Sequence, residues 1–189
     1  VSFNASANKS VISYADDGNS SQGTAIVGTV SGTSISFGTK VQFSANNVSY
    51  ISSAFDTVAG KTVTAYAHSL NGYAIVGTVS GTSISFGAEG TFRAGSSQEM
   101  ATVYDTNADK TVVLYRENTV AGHGEGVVGT VSGTSISFGT AVQFDSSPVT
   151  VAVGAYDSSS NQVICAYTKV HAKVVLGTVS GTSISFGAI

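Results

Sequence analysis

The eleven residues GTVSGTSISFG occur four times in a chain of 189 residues, at 28–38, 77–87, 129–139 and 177–187. An identical undecapeptide starting 49, 52 and 48 residues apart marks a repeat architecture, and every other reading is subordinate to it. Inside the motif Thr29, Ser31, Ser34 and Ser36 alternate with Val30, Ile35 and Phe37, the period of a strand. Ser31-Gly32-Thr33-Ser34 interrupts the alternation with turn formers, and Gly32 supplies the positive φ that a tight turn demands. The motif therefore reads as a hairpin joining two strands. The first strand starts before the motif, over 25–30 and 174–179. The second continues past it, over 34–43 and 135–144.

A second anchor fixes the rest of the unit. An aromatic residue is followed by an acid or its amide and, eleven places after the aromatic, by tyrosine. The sets are Phe3, Asn4, Tyr14; Phe55, Asp56, Tyr66; Tyr104, Asp105, Tyr115; and Tyr156, Asp157, Tyr167. From the motif's first glycine to the next such aromatic the interval is always 27 residues. Each unit thus contains four strands, in the second unit 49–55, 61–67, 73–79 and 83–92. Short turns make them an antiparallel meander. The expected fold is all-β, a β-propeller of four-stranded antiparallel blades. Approximate blade limits are 1–43, 44–94, 95–144 and 145–189. First strands rich in small residues (Ser52, Ser53, Ala54; Ala101, Thr102; Ala152, Gly154, Ala155) suit the crowded axis of such a ring.

Three closures fit. The four blades form one small ring, two chains form an eight-bladed ring, or the chain belongs to a longer array. Its length favours the first. The units are in phase with the chain, so neither terminus completes a blade across the seam, and Val1 reads as the start of a processed chain or a fragment.

Composition narrows the function. Only 10% of residues are charged and the net charge is −3 with no basic run, so phosphate-neutralising nucleic-acid binding is not expected. No run of 18 apolar residues is present, so no membrane-inserted helix is expected. Cys165 is the one cysteine and reads as a small buried hydrophobe.

The repeat varies in one place. From the tyrosine to the motif's first glycine the interval is 14, 11, 14 and 10 residues, so the loop between the second and third strands absorbs the variation. In a propeller these loops share one face with the connections from the fourth strand to the next blade's first. The other face carries the near-identical turns. A rigid repeated scaffold displaying divergent loops on one face is a common design for binding surfaces. The candidate ligand-binding residues are Asp16, Asp17, Asn19 and Gln22; His68, Asn71 and Tyr73; Arg116, Glu117, Asn118 and His123; and Lys169 and His171. The three histidines all fall in these loops and suit Zn²⁺ chemically, but on separate blades they are not expected to share an ion. Asp105-Thr106-Asn107-Ala108-Asp109 opens like a calcium loop but lacks the following glycine and the distant glutamate. Asn4, Asp56, Asp105 and Asp157 are read instead as turn residues that accept backbone N–H groups. No nucleophile elbow, zinc-protease helix or phosphate loop is present, so neither an enzyme nor a cofactor is expected.

GTVSGTSISFG followed by T-x-V-x-F, as at Thr39, Val41 and Phe43, resembles a repeat of β-rich proteins from marine bacteriophages and bacteria, of the tail-fibre or virion-surface type. With the Y/F-D…Y pair the resemblance covers nearly the whole chain. Unit two departs from it with Ala88-Glu89-Gly90-Thr91-Phe92. The resemblance implies a virion-associated or extracellular module that meets a host-surface glycan or protein, with homo-oligomerisation open. The competing expectation is a structural assembly domain without a small ligand. The resemblance carries no catalytic or ligand residue onto this chain.

Overall fold

A computed structural model of the chain describes residues 1–119 and 122–188, with backbone only at 151 and 152. The side chain of Ala152, part of the variable loop at 116–124, and residue 189 lie outside the described residues. The chain forms four antiparallel sheets in sequence order. The first contains β1 (Ser2–Asn4), β2 (Lys9–Asp16), β3 (Gln22–Ser31), β4 (Ser34–Phe37) and β5 (Val41–Asn47). The second contains β6 (Ser49–Asp56), β7 (Lys61–His68), β8 (Asn71–Ser80), β9 (Ser83–Phe86) and β10 (Gly90–Arg93). The third contains β11 (Ser97–Asp105), β12 (Lys110–Glu117), β13 (Gly124–Ser132), β14 (Ser135–Phe138) and β15 (Val142–Asp145). The fourth contains β16 (Thr150–Asp157), β17 (Gln162–Thr168), β18 (Ala172–Ser180) and β19 (Ser183–Phe186).

Each sheet is the expected meander, with one difference. The fourth strand of units one to three is two short strands on the same edge of the third, as β4 and β5 are on β3. The break falls at Gly38, Gly87 and Gly139, and each of these glycines lies under a turn of the next unit. A Cβ at Gly87 would overlap the carbonyl oxygen of Thr134, in the following unit's hairpin turn, and Gly38 and Gly139 face Thr82 and Thr182 in the same way. In each turn the first central residue, Gly32, Gly81, Gly133 or Gly181, has φ between 57° and 61°, as a two-residue II′ hairpin requires.

Successive sheets pack face to face. Three apolar cores form, each drawn from two consecutive units. The strand-two tyrosines Tyr66, Tyr115 and Tyr167 are fully buried packing groups, and each lies against a phenylalanine of the preceding unit. The ring centroids are 5.0 Å apart for Phe43–Tyr66, 5.2 Å for Phe92–Tyr115 and 5.2 Å for Phe144–Tyr167. Each phenylalanine also meets the next unit's motif aromatic, at 5.5 Å for Phe86, 5.6 Å for Phe138 and 5.3 Å for Phe186. Aromatic pairs of this kind contribute about 0.5–1.5 kcal/mol beyond area burial.

The small first strands abut. Thr102 donates its backbone N–H to Ser52 Oγ at 2.9 Å, and Gly154 lets β16 close on Val103 and Ala101. The acid or amide after each first-strand aromatic makes the expected turn. Asn4 accepts from Ala7 N–H, Asp56 from Ala59, Asp105 from Asn107 and Ala108, and Asp157 from Ser159. The Ser159 and Ser160 hydroxyls, with the Ser159 N–H, hold the Asp157 carboxyl down to about 2.

The two outermost faces are bare. Ile84, Ile136 and Ile184 are at most 7% exposed, whereas Ile35, their counterpart in unit one, is 43% exposed. On the other side Leu176 is 41% exposed, although Val27, Val76 and Val128 at the same position are fully buried.

Candidate functional site

The variable loops and the connections to the next unit meet on one face, joined by backbone hydrogen bonds. Val48 N–H donates to Ser21 O at 3.0 Å, Asn118 N–H to Ser96 O at 3.0 Å and Val149 N–H to Gly122 O at 2.8 Å. The turns between first and second strands and the motif hairpins share the opposite side, where a shallow cleft is lined by Asn4, Lys9, Gly60 and Gly81.

On the variable face the structure sorts the candidate residues by unit. In unit one Asp16 accepts from Lys40 Nζ at 2.8 Å, Asp17 accepts from the Ser21 hydroxyl, and Asn19 donates to Gln22 Oε1. Gln42 donates to the same Gln22 oxygen. An open cleft of about 350 Å³ lies over Asp16, Asn19, Lys40 and Gln42.

In unit two the loop is a minimal hairpin in which His68 pairs with Asn71, and Ser69 and Leu70 both have positive φ, 48° and 68°. That is the I′ pattern, which usually selects Asn-Gly. His68 stacks on Tyr73 with centroids 4.0 Å apart and planes 4° from parallel. Asn71 Oδ1 accepts from Gly95 N–H and its Nδ2 donates to Tyr73 Oη. These three residues therefore hold one another and brace the wall of a cleft. His68 is largely buried, with its Nε2 3.5 Å from Glu89 Oε2.

In unit three Glu117 is fully buried and cannot present itself to a ligand. Its carboxylate accepts from Arg93 of unit two at 2.9 Å, from Thr119 N–H at 2.8 Å and from the Thr119 hydroxyl. Burial pushes its pKa up, but the Thr119 hydrogen bonds and the Arg93 charge outweigh that and leave it below the usual carboxylate range. Glu125 accepts from the buried Tyr115 hydroxyl at 2.6 Å, and His123 Nε2 lies 3.1 Å from its other oxygen. Burial, reinforced by Glu125, drives the Tyr115 pKa upward. Arg116 packs against Gly122, and the Asn118 backbone bonds to the connection after unit two. In unit four Lys169 Nζ is 3.5 Å from Asp145, which also accepts from the Tyr167 hydroxyl at 3.0 Å. The Lys169 N–H donates to His171 O, and His171 is exposed.

The structure thus brings the candidates together within units and not across them. Among the described residues no three His, Cys, Asp or Glu side chains gather in a way that would hold a metal.

A cleft of about 360 Å³ opens between units one, two and three. Its walls are Asn46 and Asn47 at the end of β5, Tyr50 at the start of β6, His68 and Leu70 of the hairpin, and Gln98 at the start of β11. Tyr50 is 42% exposed and has φ 53°, a left-handed conformation unfavourable for an aromatic residue. Of these wall residues only His68 is in the sequence-derived set. Tyr50 and Gln98 lie at the starts of β6 and β11, outside the loops whose length varies, so loop-length variation gives no signal. Their one cue is position, since the connections leading into these strands share the variable face.

No family model, curated protein or solved structure matches the chain.

Proposed function

We propose that the chain is a non-enzymatic recognition module whose cleft among units one, two and three binds a surface glycan. The observation that carries this reading is the composition of the walls. Planar amides at Asn46, Asn47 and Gln98 offer paired donors and acceptors, while the Tyr50 ring and Leu70 offer apolar surface. Sugars present these two chemistries together, hydroxyl pairs and C–H faces. The volume lies at the small end of ligand sites, about 300–1,000 Å³. The strained Tyr50 backbone fits a side chain held out for contact. Resemblance to marine phage and bacterial surface repeats supports a virion or extracellular setting.

We read the four sheets as successive propeller blades. Exposure of the two outermost faces supports an arc of a larger ring over a closed four-bladed one. The same exposure favours, as a second reading, an assembly role.

The test is a glycan array on the purified chain, followed by calorimetry on any hit. Tyr50→Ala is expected to weaken binding about tenfold, the loss of one aromatic contact, with an unchanged melting temperature. A chain that binds no glycan, or binds one equally well without Tyr50, overturns the reading.

A further inference from the structure

The three junctions inside the chain share one plan, and the two bare outer faces carry its two halves. At each junction a motif-end glycine (Gly38, Gly87 or Gly139) admits the turn carbonyl of Thr82, Thr134 or Thr182 in the next unit. Beside it the receiving unit lays down a row of small or branched side chains, Ala25 and Val27 or Ala74 and Val76. The incoming unit covers this row with isoleucine and an aromatic, Ile84 and Phe86 or Ile136 and Phe138.

Unit four has the receiving half with nothing on it. Gly187 is exposed, and among the described residues a Cβ there would meet nothing nearer than its own sheet's Leu176 O at 3.8 Å. Val153, Val174 and Leu176 are exposed beside it. Strand pairing puts all three on one face, since Val153 opposes Ala166, which opposes Val174. Unit one has the incoming half. Val30, Ile35 and Phe37 are exposed on one face with the turn residue Thr33, and Ile12, Tyr14 and Ile26 are only half-buried there. Both faces are apolar over these residues, and on unit one the Asp16–Lys40 pair closes the edge beyond Tyr14. Contiguous apolar faces of this kind mark association surfaces.

We infer that unit one of a second copy of this chain docks on unit four, head to tail, by the same plan as the internal junctions. Thr33 O of one copy comes over Gly187 of the other, and Ile35 and Phe37 cover Leu176 and Val174. Such an interface is heterologous: it closes into a ring when the rotation allows and otherwise extends. The occupant is specified by the sequence, because the incoming half is the undecapeptide itself, identical to the copies already seated three times. Two departures weaken the fourth junction. Among its described residues unit four has no counterpart of Phe43, Phe92 and Phe144 to meet the incoming Tyr14 and Phe37. Val174 stands where Ala25, Ala74 and Gly126 stand in the other units, and a Cβ at Gly126 would already lie 2.7 Å from Phe186. The incoming Phe37 ring therefore rides farther out.

Sedimentation velocity over a range of chain concentrations tests this. The full chain is expected to shift from one copy to two or to a longer series. Phe37→Asp and Leu176→Asp each disable one half and should each raise the dissociation constant about 30-fold, the loss expected for a central apolar anchor. Mixed together they should re-associate, because each retains the half the other lacks. This also shows that both are folded. Gly187→Ala should impair association with no loss of melting temperature, and Val174→Ala should strengthen it. A chain that stays single at every concentration overturns the inference, as does a mixture that fails to re-associate or a symmetric interface lost with only one of the two aspartate variants.

Discussion

Gly87 and Gly187 occupy the same place in identical undecapeptides, yet alanine should affect them in opposite directions. Each donates its N–H to the third strand of its own sheet, Gly87 to Val76 O at 3.0 Å and Gly187 to Leu176 O at 2.9 Å. Neither has a positive φ, so alanine is conformationally acceptable at both. Local structure therefore predicts equal effects, and the neighbouring unit decides the difference. A Cβ at Gly87 overlaps the Thr134 carbonyl oxygen and lies 2.8 Å from its carbon. The obstacle is backbone, which cannot turn aside as a side chain can, so the sheets must separate. Overpacking costs about 1–3 kcal/mol, and a backbone obstacle puts Gly87→Ala near the upper figure. For a chain of this size that corresponds to a melting temperature lower by about 6–12 °C. At Gly187 the nearest atom among the described residues is 3.8 Å away, and alanine restricts only the unfolded chain, which stabilises by about 0.4–1 kcal/mol. Thermal and urea unfolding followed by tyrosine fluorescence, at concentrations where the chain is single, measures both. Equal losses at the two sites would refute the stacking of turn on glycine and the open outer face together.

Four further outcomes are expected. Tyr115→Phe removes the 2.6 Å hydrogen bond to Glu125 and leaves that carboxylate poorly satisfied, so urea unfolding should show a loss of about 1.5–3 kcal/mol. Glu117 and Asp145 both have depressed pKa values; for Asp145, as for Glu117, burial pushes upward but is outweighed, here by Ser147 N–H, the Tyr167 hydroxyl and Lys169. Their contribution to stability is present above the unfolded carboxylate pKa of about 4 and is lost as pH falls through the lower folded values, and Glu117→Gln should flatten part of that acid limb. The double change Ser69→Asn with Leu70→Gly gives the hairpin its preferred turn, so the melting temperature should rise while glycan binding falls with the loss of the Leu70 surface. Burial pushes the Cys165 thiol up to about 12, so a thiol reagent should label it only at the rate of unfolding.

Strand order, unit length and the division into a constant and a variable face were legible in the sequence because they depend on periodicity within a unit. What crosses between units was not. The break at Gly38 is invisible in Thr39-Lys40-Val41-Gln42-Phe43, where alternation simply continues, and so is the approach of Thr82, 44 positions away, to that glycine. Glu117 reads as a solvated loop charge, yet Arg93 of the previous unit draws it inside. Tyr50 and Glu99 stand at the same place in two units, and both adopt left-handed φ at a register shift opening the first strand. Neither residue type announces that conformation, so the wall of the cleft at Tyr50 carries no compositional mark.

The partition between identical and divergent segments follows from the stacking. Each undecapeptide is at once a receiver and an insert: its final glycine must stay bare for the next turn, and its own turn must fit the previous glycine. A change in one copy therefore needs a matching change in its neighbour, and the copies are held alike. The variable loops meet mainly connections of their own or the adjacent unit, through backbone groups such as Ser21 O and Ser96 O that any side chain leaves in place. Apart from side chains tied to the previous unit, such as Glu117 to Arg93 and Lys169 to Asp145, they are free to differ without disturbing the stack. Loop diversity alone is thus what the scaffold permits. It becomes an argument for recognition only where side chains are held at a conformational cost in an open cleft, as Tyr50 and Leu70 are.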